Sequence, residues 1–415
     1  MKVCVFTLGC KVNEVESASF MSALKSWGAE VTDRLCPADI YVLNTCAVTR
    51  EAEKKSRQLI ARARRFNDKA KIFVCGCAAE KDAPAFLSKG VEYVGGAQKK
   101  NAVIAALAKQ LGAEYACANN EQGYEILPPP VQPRTRAFIK IEDGCNNFCS
   151  YCVIPYLRGR VRSRSVEEIV CEAENCGCPE VVLTGINVSA YNYGGKGLDE
   201  LVSALSHIEK RVRFGSLECN VIDEKFLSAC KSLKDFAPQF HLSLQSGSDA
   251  VLRKMNRRYT RAQYLEKCAL IYRYFPDAAI TTDIIAGFPE ETDEDFEQSL
   301  SIIEEARLAR VHAFAFSPRE GTVAWKMKDI PHDIKEERLH RLLAAGENAA
   351  ERYIAARLGT VHRVIFEDME EGFTCGYTGS YIKVYASGDF TGRTLDVRIE
   401  KLFKDGALGV PVKLN

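Results

Sequence analysis

The chain has 415 residues, 47% of them hydrophobic and 27% charged, with a net charge of +1. At about 150 residues per domain that length exceeds one ordinary core, so we expect three domains. No apolar run reaches the roughly 20 residues of a membrane-crossing helix, and the near-neutral charge excludes a global positive field, so a nucleic-acid partner has to be held by local basic patches.

From residue 1 to about 125 short apolar runs alternate with helical stretches. Residues 3–8, 40–44 and 71–75 read as strands, 14–27 and 49–66 as helices, with Thr49 as the cap of the second and Glu51 and Glu53 in its first turn. This βαβαβ order predicts a parallel sheet covered by helices. Met1-Lys2-Val3-Cys4-Val5-Phe6 runs straight into a strand-like segment rather than a charged-then-apolar leader, which predicts a cytoplasmic protein. Pro128-Pro129-Pro130-Val131-Gln132-Pro133 stiffens the chain into an extended connector.

Between 134 and 350 six strand candidates (136–142, 180–183, 211–217, 239–244, 279–285 and 311–316) alternate with helices and predict a partial parallel (βα)6 barrel. A charged, Ala-rich helix over 335–358 leads to residues 356–415, where runs at 361–366, 381–385, 394–399 and 407–412 between Gly-rich turns predict a small antiparallel barrel. The expected fold class is therefore α/β with a terminal β-barrel.

Seventeen cysteines, an odd number in a long chain, point to metal or catalytic use rather than a disulfide framework. The sharpest group is Cys145-Asn146-Asn147-Phe148-Cys149-Ser150-Tyr151-Cys152, set after the first barrel strand. Three thiolates can bind three irons of a cubane cluster and leave the fourth open. A structural zinc site would complete its tetrahedron with another Cys or His, and no histidine stands near this loop. Barrel enzymes place their chemistry at the carboxyl ends of strands, where this loop falls. The run resembles the signature of the radical S-adenosylmethionine superfamily. That resemblance implies a 4Fe-4S cluster whose open iron binds the methionine part of the cofactor, followed by cleavage to a 5′-deoxyadenosyl radical.

A second, dispersed set is Cys10, Cys46 and Cys77, each directly after a predicted parallel strand. The crevice outside strand carboxyl ends is the default ligand site of an open α/β sheet, so these three could meet at one centre; the alternative is that they are packing residues, as we take Cys4, Cys36 and Cys75 to be. Thr7-Leu8-Gly9-Cys10-Lys11-Val12-Asn13, Asn44-Thr45-Cys46 and Cys75-Gly76-Cys77-Ala78 resemble the amino-terminal domain of the methylthiotransferases, over essentially the whole chain. The resemblance implies a second 4Fe-4S cluster on Cys10, Cys46 and Cys77 that presents sulfur to the substrate. Lys11-Val12-Asn13 is similar to the branch acting on N6-threonylcarbamoyladenosine of transfer RNA.

Further positions follow from the same resemblance. Gly185 and Asn187, in the turn after the second barrel strand, stand where the methionine amine is met; Ser216 and Glu218 end the third strand, with Glu218 placed for the ribose hydroxyls. Cys219 follows Glu218 where the family often has Pro. Gln245 and Gly287 fall in the fourth- and fifth-strand motifs, where Asp283 replaces the usual first Gly.

For RNA, Arg158, Arg160, Arg162 and Arg164 alternate after the cluster loop, and strand-like alternation would put all four on one face. Arg253, Lys254, Arg257 and Arg258 form a second candidate patch. The terminal barrel resembles the small RNA-binding TRAM-like domain of RNA-modifying enzymes, with Tyr377 and Tyr381 expected to stack on bases and Arg363 and Lys383 to meet phosphates. The expected activity is methylthiolation of the modified adenosine next to the anticodon, with S-adenosylmethionine, two 4Fe-4S clusters, an electron donor such as flavodoxin or ferredoxin, a sulfur donor, no membrane and a monomer favoured. The alternatives are the same chemistry on isopentenyladenosine or on a ribosomal-protein aspartate, or a non-catalytic iron-sulfur RNA sensor.

Overall fold

The computed structural model describes residues 1–130 and 135–412, so Val131, Gln132 and Pro133 of the expected connector, and the expected domain start at 134, lie outside the described residues. The first domain is a five-stranded parallel sheet in the order Glu30–Thr32, Lys2–Thr7, Ile40–Thr45, Lys71–Gly76, Tyr93–Val94. Its central strand is buried throughout, as a near-continuous apolar run requires between two helical layers. Helix Lys11–Ser26 starts three residues earlier than periodicity suggests, directly after Cys10, and Arg50–Phe66 is capped by Thr49, whose hydroxyl accepts from the Ala52 N–H at 3.1 Å.

The central domain carries the six expected parallel strands, Arg136–Lys140, Glu180–Thr184, Arg211–Phe214, Gln239–Leu242, Ala279–Ala286 and Arg310–Ala315. The third differs from expectation. It breaks at Gly215 and resumes as Ser216–Leu217, so the wall forms two four-stranded sheets, with Arg136–Lys140 and Arg310–Ala315 as open edges. The Gly215 N–H still bonds the Leu183 carbonyl at 2.8 Å, which pins the bend against the second strand. Helix His332–Ala355 lies along the last edge strand and leads to the terminal barrel.

That barrel is closed, in the order Val361–Glu370, Phe373–Thr378, Lys383–Ser387, Gly406–Pro411, Thr394–Phe403. It has five strands rather than the four runs expected, because Phe373–Thr378 reads as part of a Gly-Tyr-Thr-Gly turn; it is antiparallel except where Lys383–Ser387 pairs in parallel with Gly406–Pro411. No helix among the described residues is long and apolar enough to cross a membrane.

Candidate active site

The first barrel strand ends in Glu142–Asp143, which pairs antiparallel with Arg162–Ser163 and delivers the chain into the cysteine loop. The turn demands Gly144, at φ +92°, since a Cβ there would collide with the Arg160 carbonyl; Phe148 is left-handed at φ +49°. The Cys145 N–H bonds the Gly159 carbonyl at 3.0 Å, the Cys152 N–H the Cys149 carbonyl at 2.9 Å and the Ser150 N–H the Met255 carbonyl at 3.0 Å. These bonds hold the loop in one compact turn, near enough for the Cys149 sulfur to push up the Cys145 thiol and, with Cys145, the Cys152 thiol. Burial pushes the Cys145 thiol up and the Cys152 thiol to about 12, so the free thiols stay protonated until iron replaces the proton.

The side chains around this loop form a cradle. Asn187 directs its amide to the Cys145 sulfur at 3.7 Å, and its backbone N–H donates to Glu142 Oε2 at 2.7 Å. Gly185 is needed beneath it, because a Cβ there would lie 2.8 Å from the same carboxylate oxygen. Glu218 Oε1 accepts from Asn147 and from Arg257, each at 3.0 Å, and Arg257 also reaches the Cys149 sulfur at 3.4 Å. The Ser189 hydroxyl accepts the Glu218 N–H at 2.8 Å. Asn147, Ser189 and Arg257 were not foreseen in this role. Arg257, read from sequence as a phosphate contact, is 4% exposed and belongs to the cradle. Ser216 is exposed at the end of the broken strand, and Gln245 sits left-handed at φ +72° with its N–H on the Asp283 carbonyl. Gly287, at φ +68°, packs against Lys335, which a Cβ would strike, so it secures the last helix.

The second trio gathers at the carboxyl edge of the first sheet. Lys2–Thr7, Ile40–Thr45 and Lys71–Gly76 are neighbours, so Cys10, Cys46 and Cys77 emerge side by side. Asn13 ties two of the loops by donating to the Leu8 carbonyl at 2.8 Å and the Thr45 carbonyl at 3.1 Å, and Thr45 binds the third through the Cys75 carbonyl at 2.6 Å and the Ala79 N–H at 3.2 Å. Burial, with smaller contributions from Cys10, pushes both the Cys46 and Cys77 thiols up. Among the described residues no group of three or more His, Cys, Asp or Glu is disposed around a single metal ion.

Between the two trios lies a buried charge cluster that motif reading missed. Arg158 has no exposed surface and is bonded to Glu16 at 2.9 Å, Asp143 at 3.1 Å and the Asn13 amide oxygen at 2.7 Å, while Lys100 and Lys140 reach Glu16 at 2.5 and 3.1 Å. Burial alone would raise the Glu16 carboxyl; the surrounding Arg158, Lys100 and Lys140 hold it well below its ordinary range. The expectation that Arg158 faces RNA is therefore wrong. Pro155 starts a helical turn, Ile154–Arg158, that replaces the assumed strand and turns the guanidinium inward.

The other arginines divide. Arg160 is exposed and lies over the Phe148 ring at 4.5 Å; Arg162 is half-buried on Gln98 at 2.9 Å; Arg164 pairs with Glu172 at 2.6 Å. The terminal barrel also departs from expectation. Tyr377 and Tyr381 stack on each other at 4.7 Å, with Arg136 over both rings and Arg213 over Tyr381, so they clamp the barrel to the central domain instead of presenting free faces. Lys383 is held by Glu370 at 2.7 Å and Asp405 at 3.5 Å, which satisfies its charge within the barrel, whereas Arg363 is largely exposed.

Comparison with known proteins agrees with this geometry. Residues 139–303 match the Radical SAM superfamily, and residues 2–95 match Uncharacterized protein family UPF0004. The chain is 36% identical to threonylcarbamoyladenosine tRNA methylthiotransferase MtaB of Bacillus subtilis, over 96% of this chain and 94% of that protein. It is 34% identical to tRNA-2-methylthio-N(6)-dimethylallyladenosine synthase of Thermodesulfovibrio yellowstonii, over 98% of each. In fold it is similar to the radical S-adenosylmethionine methyltransferase TsrM of Kitasatospora setae, at a TM-score of 0.54 and 16% identity, over 76% of this chain and 74% of that one. A partial barrel with three thiols at its mouth and matching sequence defines a radical S-adenosylmethionine enzyme, which uses that cofactor and a 4Fe-4S cluster. The chain belongs to the tRNA methylthiotransferase family.

Proposed function

We propose that this enzyme adds a methylthio group to C2 of N6-threonylcarbamoyladenosine beside the anticodon, giving 2-methylthio-N6-threonylcarbamoyladenosine, and that Cys10, Cys46 and Cys77 hold a second 4Fe-4S cluster. The observation that carries the reading is the presence of two thiol trios, each at the carboxyl ends of parallel strands, on either side of one buried charge cluster. Three sulfurs without a fourth protein ligand suit a cluster with one open iron. The bound cofactors supply a radical and a methylated sulfur, which the inert adenine C–H bond demands, since no side-chain base removes that hydrogen at neutral pH.

The chain's own residues position these groups. Cys145, Cys149 and Cys152 hold the first cluster; Gly185 and Asn187 leave backbone room for the methionine amine, with Ser216, Gln245 and Gly287 along the same strand ends. Glu218, oriented by Asn147 and Arg257, accepts from the ribose hydroxyls. Arg160 and Arg162 serve RNA phosphates at the rim. The working units are residues 1–125, 134–350 and 356–415, in a cytoplasmic monomer that draws on a flavodoxin- or ferredoxin-like electron donor and a separate sulfur donor.

The threonylcarbamoyl substrate is favoured over the dimethylallyl one by Lys11-Val12-Asn13 and by the names of the 36% and 35% identical relatives from Bacillus subtilis and Thermotoga maritima. Anaerobic reconstitution tests the two clusters: about eight irons per chain are expected for the wild type and about four for Cys46→Ala, which should still release 5′-deoxyadenosine without methylthiolating RNA. Mass spectrometry of nucleosides from a deletion strain tests the substrate. Selective loss of the 2-methylthio-N6-threonylcarbamoyl nucleoside is expected, and loss of the dimethylallyl counterpart instead would overturn the assignment.

A further inference from the structure

With Tyr377, Tyr381 and Lys383 engaged inside the protein, the terminal barrel loses most of its expected RNA contacts, and helix Arg50–Phe66 offers a further basic surface. The helix begins four residues after Cys46. At 100° per residue Arg50, Lys54, Arg62 and Arg65 fall within about 120° of arc, opposite the buried Ser56, Leu59, Ile60 and Ala63, and all four are exposed. Lys54, Arg62 and Arg65 make no ion pair or hydrogen bond among the described residues. Glu51, the one acid on this face, is turned to Lys55 at 3.7 Å. The other basic residues of the helix are used internally: Arg57 pairs with Glu53, and Arg64 donates to the Asp68, Ala70 and Gly90 carbonyls.

A solvated basic face is common, so the adjoining surface decides what this one meets. At its amino end the Arg50 guanidinium lies over the ring of Trp325 at 4.7 Å, and Trp325 is 42% exposed. Val48, two residues before Arg50, and Val323, two residues before Trp325, are also exposed, at 51% and 57%. This apolar platform is joined to both sites: Arg319 donates to the Ala47 carbonyl at 2.6 Å, and the Ala324 N–H bonds the Ser150 carbonyl inside the cysteine loop at 2.8 Å. A stripe of unpaired cations ending beside an exposed indole, on segments bonded to both cysteine sites, is the composition that meets a phosphate backbone continuing into unstacked bases.

We propose that the Lys54, Arg62 and Arg65 face binds the phosphates of the RNA stem and that Trp325 stacks on a base of the loop next to the target nucleotide. The inference rests on the tRNA reading above. It is tested by titrating the reconstituted enzyme with anticodon stem-loop RNA between about 50 and 200 mM salt. The variant Lys54→Gln/Arg62→Gln/Arg65→Gln should bind more weakly, with a salt slope shallower by about 2 to 3, as three lost phosphate contacts require. The charge-conserving Lys54→Arg/Arg62→Lys/Arg65→Lys should behave as wild type. Trp325→Ala should weaken binding about tenfold at unchanged slope, because stacking releases no counterions. RNA-independent release of 5′-deoxyadenosine should be the same in all, which certifies the fold. Wild-type affinity and slope in the glutamine variant would overturn the docking surface alone, whereas no salt-dependent binding by the wild type would overturn the tRNA reading with it.

Discussion

Arg158 and Glu16 stand 142 positions apart in the chain and 2.9 Å apart in space, neither with any exposed surface. One comes from the helical turn behind the cysteine loop of the central domain, the other from the helix that begins directly after Cys10. Their bond therefore fixes the distance between the two sulfur trios by a direct contact between domains.

Removing this cation should be severe. Arg158→Met removes the hydrogen bonds to Glu16, Asp143 and Asn13 in a place water cannot reach, while Lys100 and Lys140 still balance the two carboxylates, and we expect a loss of about 1–3 kcal/mol in guanidinium unfolding. Arg158→Lys keeps the charge but not the fork that spans Glu16, Asp143 and Asn13, and should fall between. A Met variant within about 0.5 kcal/mol of wild type would show that the contact does not hold the domains.

Acid should loosen the same junction on its other side. Glu53 sits with Arg57, Lys81 and Arg319; burial opposes its ionisation, but these three partners together bring the carboxyl down from 4.5 to about 2. Because the folded value lies below the unfolded one, the stabilisation is complete above about pH 4.5 and is lost as pH falls toward 2. Glu53→Gln should flatten the stability profile across that window while leaving its shape near neutrality unchanged. An identical acid limb in both proteins would remove Glu53 from the account.

Gly76 is the most demanding backbone position of the second trio. At φ +98° a Cβ would strike the Thr45 carbonyl, so Gly76→Ala has to displace either the Cys46 strand or the Cys77 turn. The expected outcome is a reconstituted protein with about four irons instead of eight, with the cofactor-cleaving activity of Cys145, Cys149 and Cys152 retained. Full iron content would count against the trio as a cluster site.

Tyr381→Ala distinguishes the clamp seen here from the stacking surface expected from sequence. It removes the stack with Tyr377 and the hydroxyl that meets Arg136 at 3.3 Å. A loss of about 1–3 kcal/mol and faster proteolysis around residues 356–360 are expected in the absence of RNA. Were the ring an RNA platform only, the free protein would be unaffected.

Much of the site is legible in the sequence because strand and turn chemistry are local. A short apolar run followed by Gly and Cys marks the carboxyl end of a parallel strand, which places Cys10, Cys77 and Cys145 at strand ends, while the family resemblance and the spacing of Cys145, Cys149 and Cys152 single them out from the packing cysteines. What the sequence hides is set by contacts between distant segments. The arginines at 158, 160, 162 and 164 have the spacing of a strand, yet Pro155 and the left-handed Gly159 convert the first of them to a helical turn, and those two residues were the available signal. Nothing local distinguishes Arg257, which closes on Glu218, from its exposed neighbour Arg258. The faces of Tyr377 and Tyr381 were likewise undetermined until Arg136 and Arg213 were seen against them, because a domain interface leaves no periodicity of its own.

The buried cluster around Arg158 contains three cations, Lys100, Lys140 and Arg158, and two anions, Glu16 and Asp143, so one positive charge is left over among buried side chains. The Cys10 and Cys77 sulfurs lie within electrostatic range of the Arg158 guanidinium. Were the proposed second cluster held on Cys10, Cys46 and Cys77, these sulfurs would be thiolates, and their negative charge would face that surplus. Metal binding and domain closure would then favour each other, and the iron-free protein is expected to be the looser molecule in proteolysis.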